Sequence, residues 1–319
     1  MTNANTAPWT AARIPSQAGL RVLITGANSG IGFETALELA RKGAEIILPA
    51  RTLEKAADAR RRILTQIPSA TIHPALLDLA SQSSVRAFAA WFGQHFPGPS
   101  LDLLISNAGV MAVPTRELTP DGFERQFATN FLGPFALTAL LYPHLRQQPS
   151  TRIVIVSSSV TKRAKIDFDN LQSERYYNPM FQAYSQSKLA DSLFAFELDH
   201  RLRAAGSPIL VTAAHPGYAI TNLQTSGPGE GSLFFRLISG LLKPIASQDA
   251  HHGALPTLFA ATDPSAQPGG YYGPDRFFEL KGFPVAVPIP PRARNAADAK
   301  RLWREAERLT GITFDLPRM

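Results

Sequence analysis

The chain has 319 residues, 45% of them hydrophobic and 18% charged, which is a globular composition and not a disordered one. It contains no cysteine, which excludes a disulfide framework, a thiolate metal site and a cysteine nucleophile, and fits a reducing, cytoplasmic setting. A formal charge of +7 and a pI near 9.8 raise nucleic acid as a partner, yet no aromatic and basic residues interleave as a stacking platform requires. The densest basic cluster, Arg60-Arg61-Arg62, sits in a helical pattern behind Glu54 and Asp58 and reads as a solvated helix face. No nucleic-acid partner is expected, and the basic balance favours an anionic cofactor.

Residues 1–19 form a polar N-terminal extension without the apolar block of a secretory signal. Leu20 to Thr25 is a short apolar strand, followed by glycines and an amphipathic helix from Phe33 to Lys42. A second strand, Glu45 to Leu48, precedes a helix from Leu53 to Gln66. A third runs from Thr71 to Leu77 ahead of a helix from Ser81 to His95. Leu101 to Ile105 is a fourth, followed by a long helical stretch from Pro120 to Gln147. Arg152 to Val156 is the fifth strand, with a helix from Gln182 to Ala205 and a sixth strand from Pro208 to Ala213. Repeated βα units of this length predict an α/β fold, a doubly wound parallel sheet covered on both faces.

The tail changes character after Gly217. A glycine-rich turn, Thr225 to Gly231, leads into an apolar helix over 233–242, a proline-rich loop over 284–291 and a final amphipathic helix over 296–310. These read as a lid, about 225–245, and a C-terminal cover of one domain spanning 20–319. No apolar run approaches the roughly 20 residues needed to span a bilayer, so no transmembrane segment is expected. His251 and His252 point about 100° apart on a helix, with no spacing that completes a metal site, so no metal is expected.

Two stretches carry chemistry. The first is Thr25-Gly-Ala-Asn-Ser-Gly-Ile-Gly32, a glycine-rich turn after a strand and before a helix. Gly26 permits the tight turn, Gly30 lets backbone approach a pyrophosphate, and Gly32 lets the helix pack close to the sheet. Asn28, Ser29 and Ile31 fill the same turn, where a helix N-terminus offers unpaired N–H groups. The second is Tyr184-Ser-Gln-Ser-Lys188. Four helical residues advance about 400° and rise about 6 Å, so the phenol and the ammonium share one face. A free phenol titrates near pH 10, and a neighbouring ammonium favours the phenolate that a proton-transfer role near neutrality needs. Arg51, at the end of the second strand, stands where an acid would hold the ribose 2′-hydroxyl of NAD. An arginine pairs with a 2′-phosphate instead, so NADP(H) is expected.

The spacing Gly-x-x-x-Gly-x-Gly, Ser106-Asn-Ala-Gly109 after the fourth strand and Tyr184-x-x-x-Lys188 together resemble the short-chain dehydrogenase/reductase family, with its Rossmann fold. Ile166 to Glu174 through Tyr177-Asn178, His215-Pro-Gly217, and Pro291 to Arg294 with Leu302-Trp303 resemble its retinol dehydrogenase-like branch. The resemblance implies an NADP(H)-dependent oxidoreductase acting on a small-molecule carbonyl or alcohol substrate, mainly apolar, with a homodimer and a homotetramer both left open. It implies that Asp78 and Leu79 contact adenine and that Asn107, Ala108 and Gly109 lie beside its ribose. Pro216, Gly217 and Thr221 match the loop that holds the nicotinamide. Asn130 matches the residue that orders water near the lysine, and Lys188 the one that reaches the nicotinamide ribose. By the pattern Val-x-Val-Ser-Ser, Ser158 matches the serine that polarises the reacting oxygen. Counting back from Tyr184 lands on Ser159, unless Gln182 is a one-residue insertion. A catalytically idle binding scaffold and a sugar-nucleotide epimerase are the competing readings. All four catalytic positions are filled, and the tail lacks the substrate domain an epimerase would need.

Overall fold

The computed structural model describes residues 7–219 and 248–316. Among the described residues, eight strands form one sheet in the order β3-β2-β1-β4-β5-β6-β7-β8. They are β1 (Arg21–Ile24), β2 (Glu45–Ala50), β3 (Ile72–Leu76), β4 (Leu103–Ser106), β5 (Arg152–Val156), β6 (Leu210–Ala214), β7 (Tyr271–Arg276) and β8 (Lys281–Ala286). All neighbours pair in parallel except β7 and β8, which are antiparallel. The central strands are apolar almost throughout because helices cover both faces. Strand order reverses between β1 and β4, which opens a crevice at the carboxyl ends of those two strands.

One face is covered by α1 (Gly30–Arg41), α2 (Leu53–Gln66) and α7 (Ala250–Thr262). The other carries α3 (Gln82–His95), α5 (Gly133–Leu141), α6 (Ser185–Ala204) and α8 (Ala296–Thr310). Short polar residues start these helices by accepting from first-turn N–H groups: Thr52 from Lys55, Ser81 from Ser84, Asp249 from His252 and Asn295 from Ala297 and Asp298. Among the described residues no helix is long and apolar enough to cross a membrane.

Three expectations need correction. The helix expected from Pro120 to Gln147 is broken. Thr119 to Gly122 forms a turn, and Glu124 caps the short α4 (Arg125–Phe127). A π-helical turn follows over Ala128–Leu132, and α5 ends where Tyr142–His144 tightens to a 3-10 turn containing Pro143. The helix expected from Gln182 begins earlier, with a π-helical turn over Pro179–Tyr184 capped by Asn178. The proline-rich loop expected over 284–291 is partly strand. Pro284 pairs with Pro274 near the open edge of the sheet, where a residue without an N–H is tolerated.

Candidate active site

The crevice between β1 and β4 is laced by Thr25. Its hydroxyl accepts from the backbone N–H groups of Asn107 and Ala108, each at 3.0 Å, and the Asn107 amide donates to the Thr25 carbonyl at 2.9 Å. This brings the two loops together so closely that side chains are excluded. Gly26 has φ +69°, and a Cβ there would lie 2.9 Å from Ala108 Cα. A Cβ on Gly32 would run into the Asn107 amide and the Gly26 carbonyl. The result is a backbone-walled cradle. Asn28, Ser29, Gly30, Ile31 and Gly32 line it, and Ser29 starts α1 without a side-chain cap, so the positive end of that helix is presented to the cavity.

The cavity runs from this cradle in two directions. On one side are Arg51, Glu54, Lys55, Asp58, Arg61 and Arg62, together with Asp78 and Leu79. Arg51, just past the end of β2, is exposed. Arg60, Arg61 and Arg62 are all exposed, as a solvated helix face requires, and two of them also make contacts. Arg62 lies over the Phe33 ring at 3.9 Å and donates to the Asn28 carbonyl at 3.3 Å, while Arg61 pairs with Asp58 at 2.8 Å. Arg62 thus fastens α2 to the glycine-rich turn. Sequence spacing had not singled it out, and only its place at the end of the arginine run hinted at a role. The Asp78 carboxylate accepts from the Ala80 N–H at 3.0 Å and shapes the turn after β3.

On the other side lie Asn107, Ala108, Gly109, Val156, Ser157, Tyr184, Lys188 and Pro216, while Asn130, Ser158 and Gly217 are not part of this wall. Tyr184 ends the π-helical turn and Lys188 sits in the first turn of α6. The Lys188 ammonium is buried, donating to the Val156 carbonyl at 3.0 Å and to the Asp191 carboxylate at 2.9 Å. Burial works against that charge, but Asp191, and after it Tyr184, outweigh burial and hold the lysine above its ordinary range. A Cβ on Gly109 would come within 3.6 Å of Lys188 Nζ and 3.2 Å of Asn130 Oδ1, so the loop after β4 passes directly over the ammonium. Asn130 sits in the π-helical turn and holds that loop with both ends of its amide. Oδ1 accepts from the Val110 N–H at 2.7 Å, while Nδ2 donates to the Val110 carbonyl at 3.0 Å and to Ser187 Oγ at 2.8 Å.

The serines after β5 divide their tasks. Ser157 is buried, donating to the Lys188 carbonyl at 2.9 Å and bonding Ser192 Oγ at 2.8 Å, which ties β5 to α6. Ser158 is half-buried and caps the 3-10 turn Ser159–Lys162. After β6, Gly217 has φ +66°, and a Cβ there would meet the Leu280 carbonyl. Tyr218 donates to that carbonyl at 2.7 Å, and the Gln248 amide donates to the Pro216 carbonyl at 2.7 Å. Thr221, the lid expected over 225–245 and the apolar helix expected over 233–242 lie outside the described residues.

A strand, a glycine turn opening a helix, and a Tyr-x-x-x-Lys pair at the carboxyl end of the same sheet match the family model described as short chain dehydrogenase, over residues 21–228. The chain belongs to this family. Within it the chain is retinol dehydrogenase-like. It is 40% identical to human Retinol dehydrogenase 13, covering 93% of this chain and 87% of that protein. It is 39% identical to human Retinol dehydrogenase 14, over 92% of this chain and 87% of that protein. The fold is shared with a crystal structure of an uncharacterized protein from Mycobacterium Paratuberculosis. That structure is 41% identical with TM-score 0.79, covering 97% of this chain and all of the other. A short chain dehydrogenase is an oxidoreductase that uses a nicotinamide cofactor.

Proposed function

We propose that this short chain dehydrogenase is an NADP(H)-dependent oxidoreductase interconverting a carbonyl and an alcohol on a mainly apolar small molecule, with Tyr184 as acid and base. The observation that carries the reading is the cradle at Gly26 and Gly32, which only backbone fits, leading along one cavity to Tyr184 and Lys188. When bound, the nicotinamide supplies or accepts the hydride at the substrate carbon. The chain's own part is the proton. In reduction the Tyr184 hydroxyl gives its proton to the substrate oxygen, and in oxidation the phenolate takes it back. Lys188 favours the phenolate by its charge, and Asn130 holds the loop after β4 against it.

The cradle formed by Gly26 to Gly32, with Asn28, Ser29 and Ile31, is assigned to the pyrophosphate, and Arg51 to the 2′-phosphate. Asp78 and Leu79 flank the adenine, and Asn107 to Gly109 its ribose. Pro216 and Gly217, with Thr221, take the carboxamide end. Met111, Val113, Pro114 and Leu118 extend the cavity wall in apolar character, which supports an apolar substrate.

Ser158 is assigned to the reacting oxygen. Two observations support it over its neighbours. Ser157 is committed inward to α6, and Gln182 lies within a π-helical turn, which is how a helix absorbs one extra residue. An insertion there would account for the one-place offset that otherwise points to Ser159.

The test is turnover of a panel of apolar ketones, aldehydes and secondary alcohols with NADPH and NADP, retinol included because relatives bear its name. Tyr184→Phe is expected to fold, to bind NADPH and to lose at least about 10²-fold in turnover. Ser158→Ala should lose turnover while Ser159→Ala keeps it. An idle scaffold would bind NADPH and turn over none of the panel. Near-parental turnover by Tyr184→Phe would assign the proton to another group.

A further inference from the structure

Residues 184, 188 and 191 follow the i, i+4, i+7 rhythm of one helix face, beginning at the π-helical turn and continuing along α6. Tyr184 and Lys188 belong to the site already described, whereas Asp191 does not line its cavity. Asp191 is nevertheless 2% exposed and bonded through Oδ2 to Lys188 Nζ at 2.9 Å. A carboxylate this deeply buried is costly unless paired. Its position three residues beyond the lysine also places a negative charge behind the positive one.

We propose that Asp191 is a positioning residue, the buried counter-ion that holds the Lys188 ammonium beside Tyr184 and raises the pH at which the Tyr184–Lys188 pair gives up its proton. The inference rests on the assignment of Tyr184 as the acid and base.

The geometry gives the ammonium two fixed acceptors, the Val156 carbonyl on β5 and the Asp191 carboxylate on its own helix. The remaining N–H is left on the cavity side, where Lys188 forms part of the wall. Without Asp191 the flexible lysine side chain would keep one neutral acceptor in a buried place.

The electrostatic consequence does not depend on which member of the pair titrates first. Tyr184 and Lys188 are coupled, so the first proton lost belongs to the pair. A nearby negative charge disfavours loss of that proton from either group. Removing the charge must therefore move the event to lower pH.

The other groups around the pair leave Asp191 as its dominant charge. Lys188 responds to Asp191 and then to Tyr184, and Asp191 responds to Lys188. From β5 and the residue after it come the Val156 carbonyl and the neutral Ser157 hydroxyl, and from the π-helical turn over Ala128–Leu132 the neutral Asn130 amide reaches Ser187. From β7 comes Tyr271, a buried phenol whose titration burial pushes far upward. The imidazole of His215 is stacked on Tyr271 and paired with Glu279. Burial pushes the Asp191 carboxyl up to about 6, and Lys188, by its charge and its hydrogen bond, pulls it back down.

The experiment is the pH profile of kcat for alcohol oxidation in the parent, Asp191→Asn and Asp191→Glu. Asp191→Asn should move the midpoint acidward by about one pH unit, the low end of what an adjacent charge does. Asp191→Glu keeps the charge and should remain close to the parental midpoint. A coincident midpoint in Asp191→Asn, or an equal shift in Asp191→Glu, overturns the proposal.

A readout without turnover runs alongside, a ¹³C-carboxylate NMR titration of Asp191 in the parent enzyme. Ionised Asp191 at pH 7 supports the ion pair, and a protonated one overturns it even if Asp191→Asn fails to fold. Tyr184→Phe separates the two levels. Near-parental turnover there defeats the acid/base assignment, whereas a shift missing only in Asp191→Asn defeats this one.

Discussion

In the proposed reading, the cofactor choice rests on the single charge of Arg51. It is exposed just beyond the end of β2 and lines the cavity beside Lys55. A charge-assisted bond to a 2′-phosphate contributes about 1.5–3 kcal/mol, so NADPH should bind at least about tenfold more tightly than NADH. Arg51→Asp should reverse that order, because a carboxylate repels the phosphate and accepts from a ribose hydroxyl. Titration calorimetry with both cofactors decides it, and equal dissociation constants in the unmutated chain would sink the claim. Residues whose geometry is local were the legible ones. Gly26 and Gly32 announce a backbone approach by lacking a side chain, and Tyr184 and Lys188 announce a shared face by spacing alone. Arg62 and Asp191 were not legible. One acts by reaching the Asn28 carbonyl from another helix, the other by being buried, and neither contact is written in the order of residues.

At the scale of an element, the loop after β6 is clasped by the β7–β8 hairpin. Phe277, Phe278 and Glu279 at its tip all adopt positive φ, a conformation uncommon outside glycine. That turn brings Glu279 to His215 at 3.0 Å and to Lys162 at 2.7 Å. The Gly217 N–H donates to His215 Nδ1 at 3.3 Å, so the imidazole proton sits on Nε2 and donates to Glu279. Burial lowers the His215 pKa, disfavouring its charged form. Glu279 is resisted by burial, but its bonds to His215 and Lys162 hold it below the ordinary carboxylate range.

Both shifts have the same sign for stability. Each group binds more protons when unfolded, so its contribution is present above its unfolded value and lost as pH falls through the folded one. For His215 that loss begins below about pH 6.5, and for Glu279 it begins lower. The melting temperature should fall between pH 7 and pH 5, and the fall should be smaller in His215→Gln, which keeps a donor but gains no proton. Parallel curves for the two proteins would remove His215 from the account. The hairpin was not read in the sequence because Pro274 and Pro284 suggest a loop, and only pairing near a sheet edge makes them strand. The βα units upstream were read to within a few residues, except where turns and π-helical segments interrupt the stretches 120–147 and 179–184.

Over the whole molecule, α8 is packed on the helix that carries the site. Trp303 meets Phe135 at 5.2 Å, Phe314 at 5.1 Å and Phe194 of α6 at 5.9 Å between ring centroids, and Arg201 of α6 lies over its face. These rings belong to the apolar cluster that covers one face of the sheet, together with Leu104 and Ile153 from its centre. The final amphipathic helix was legible from its period, but its partner was not, because the contact joins residues about a hundred apart. We propose that residues 20–319 fold as one cooperative domain with α8 as part of its core. Trp303→Ala should cost about 3–5 kcal/mol, the range for truncating a buried aromatic. The loss should appear as one displaced unfolding transition, with far-ultraviolet dichroism and loss of NADPH binding coinciding in denaturant. If binding survives after a first transition has removed part of the helical signal, α8 is a separable cover and the single-domain reading fails.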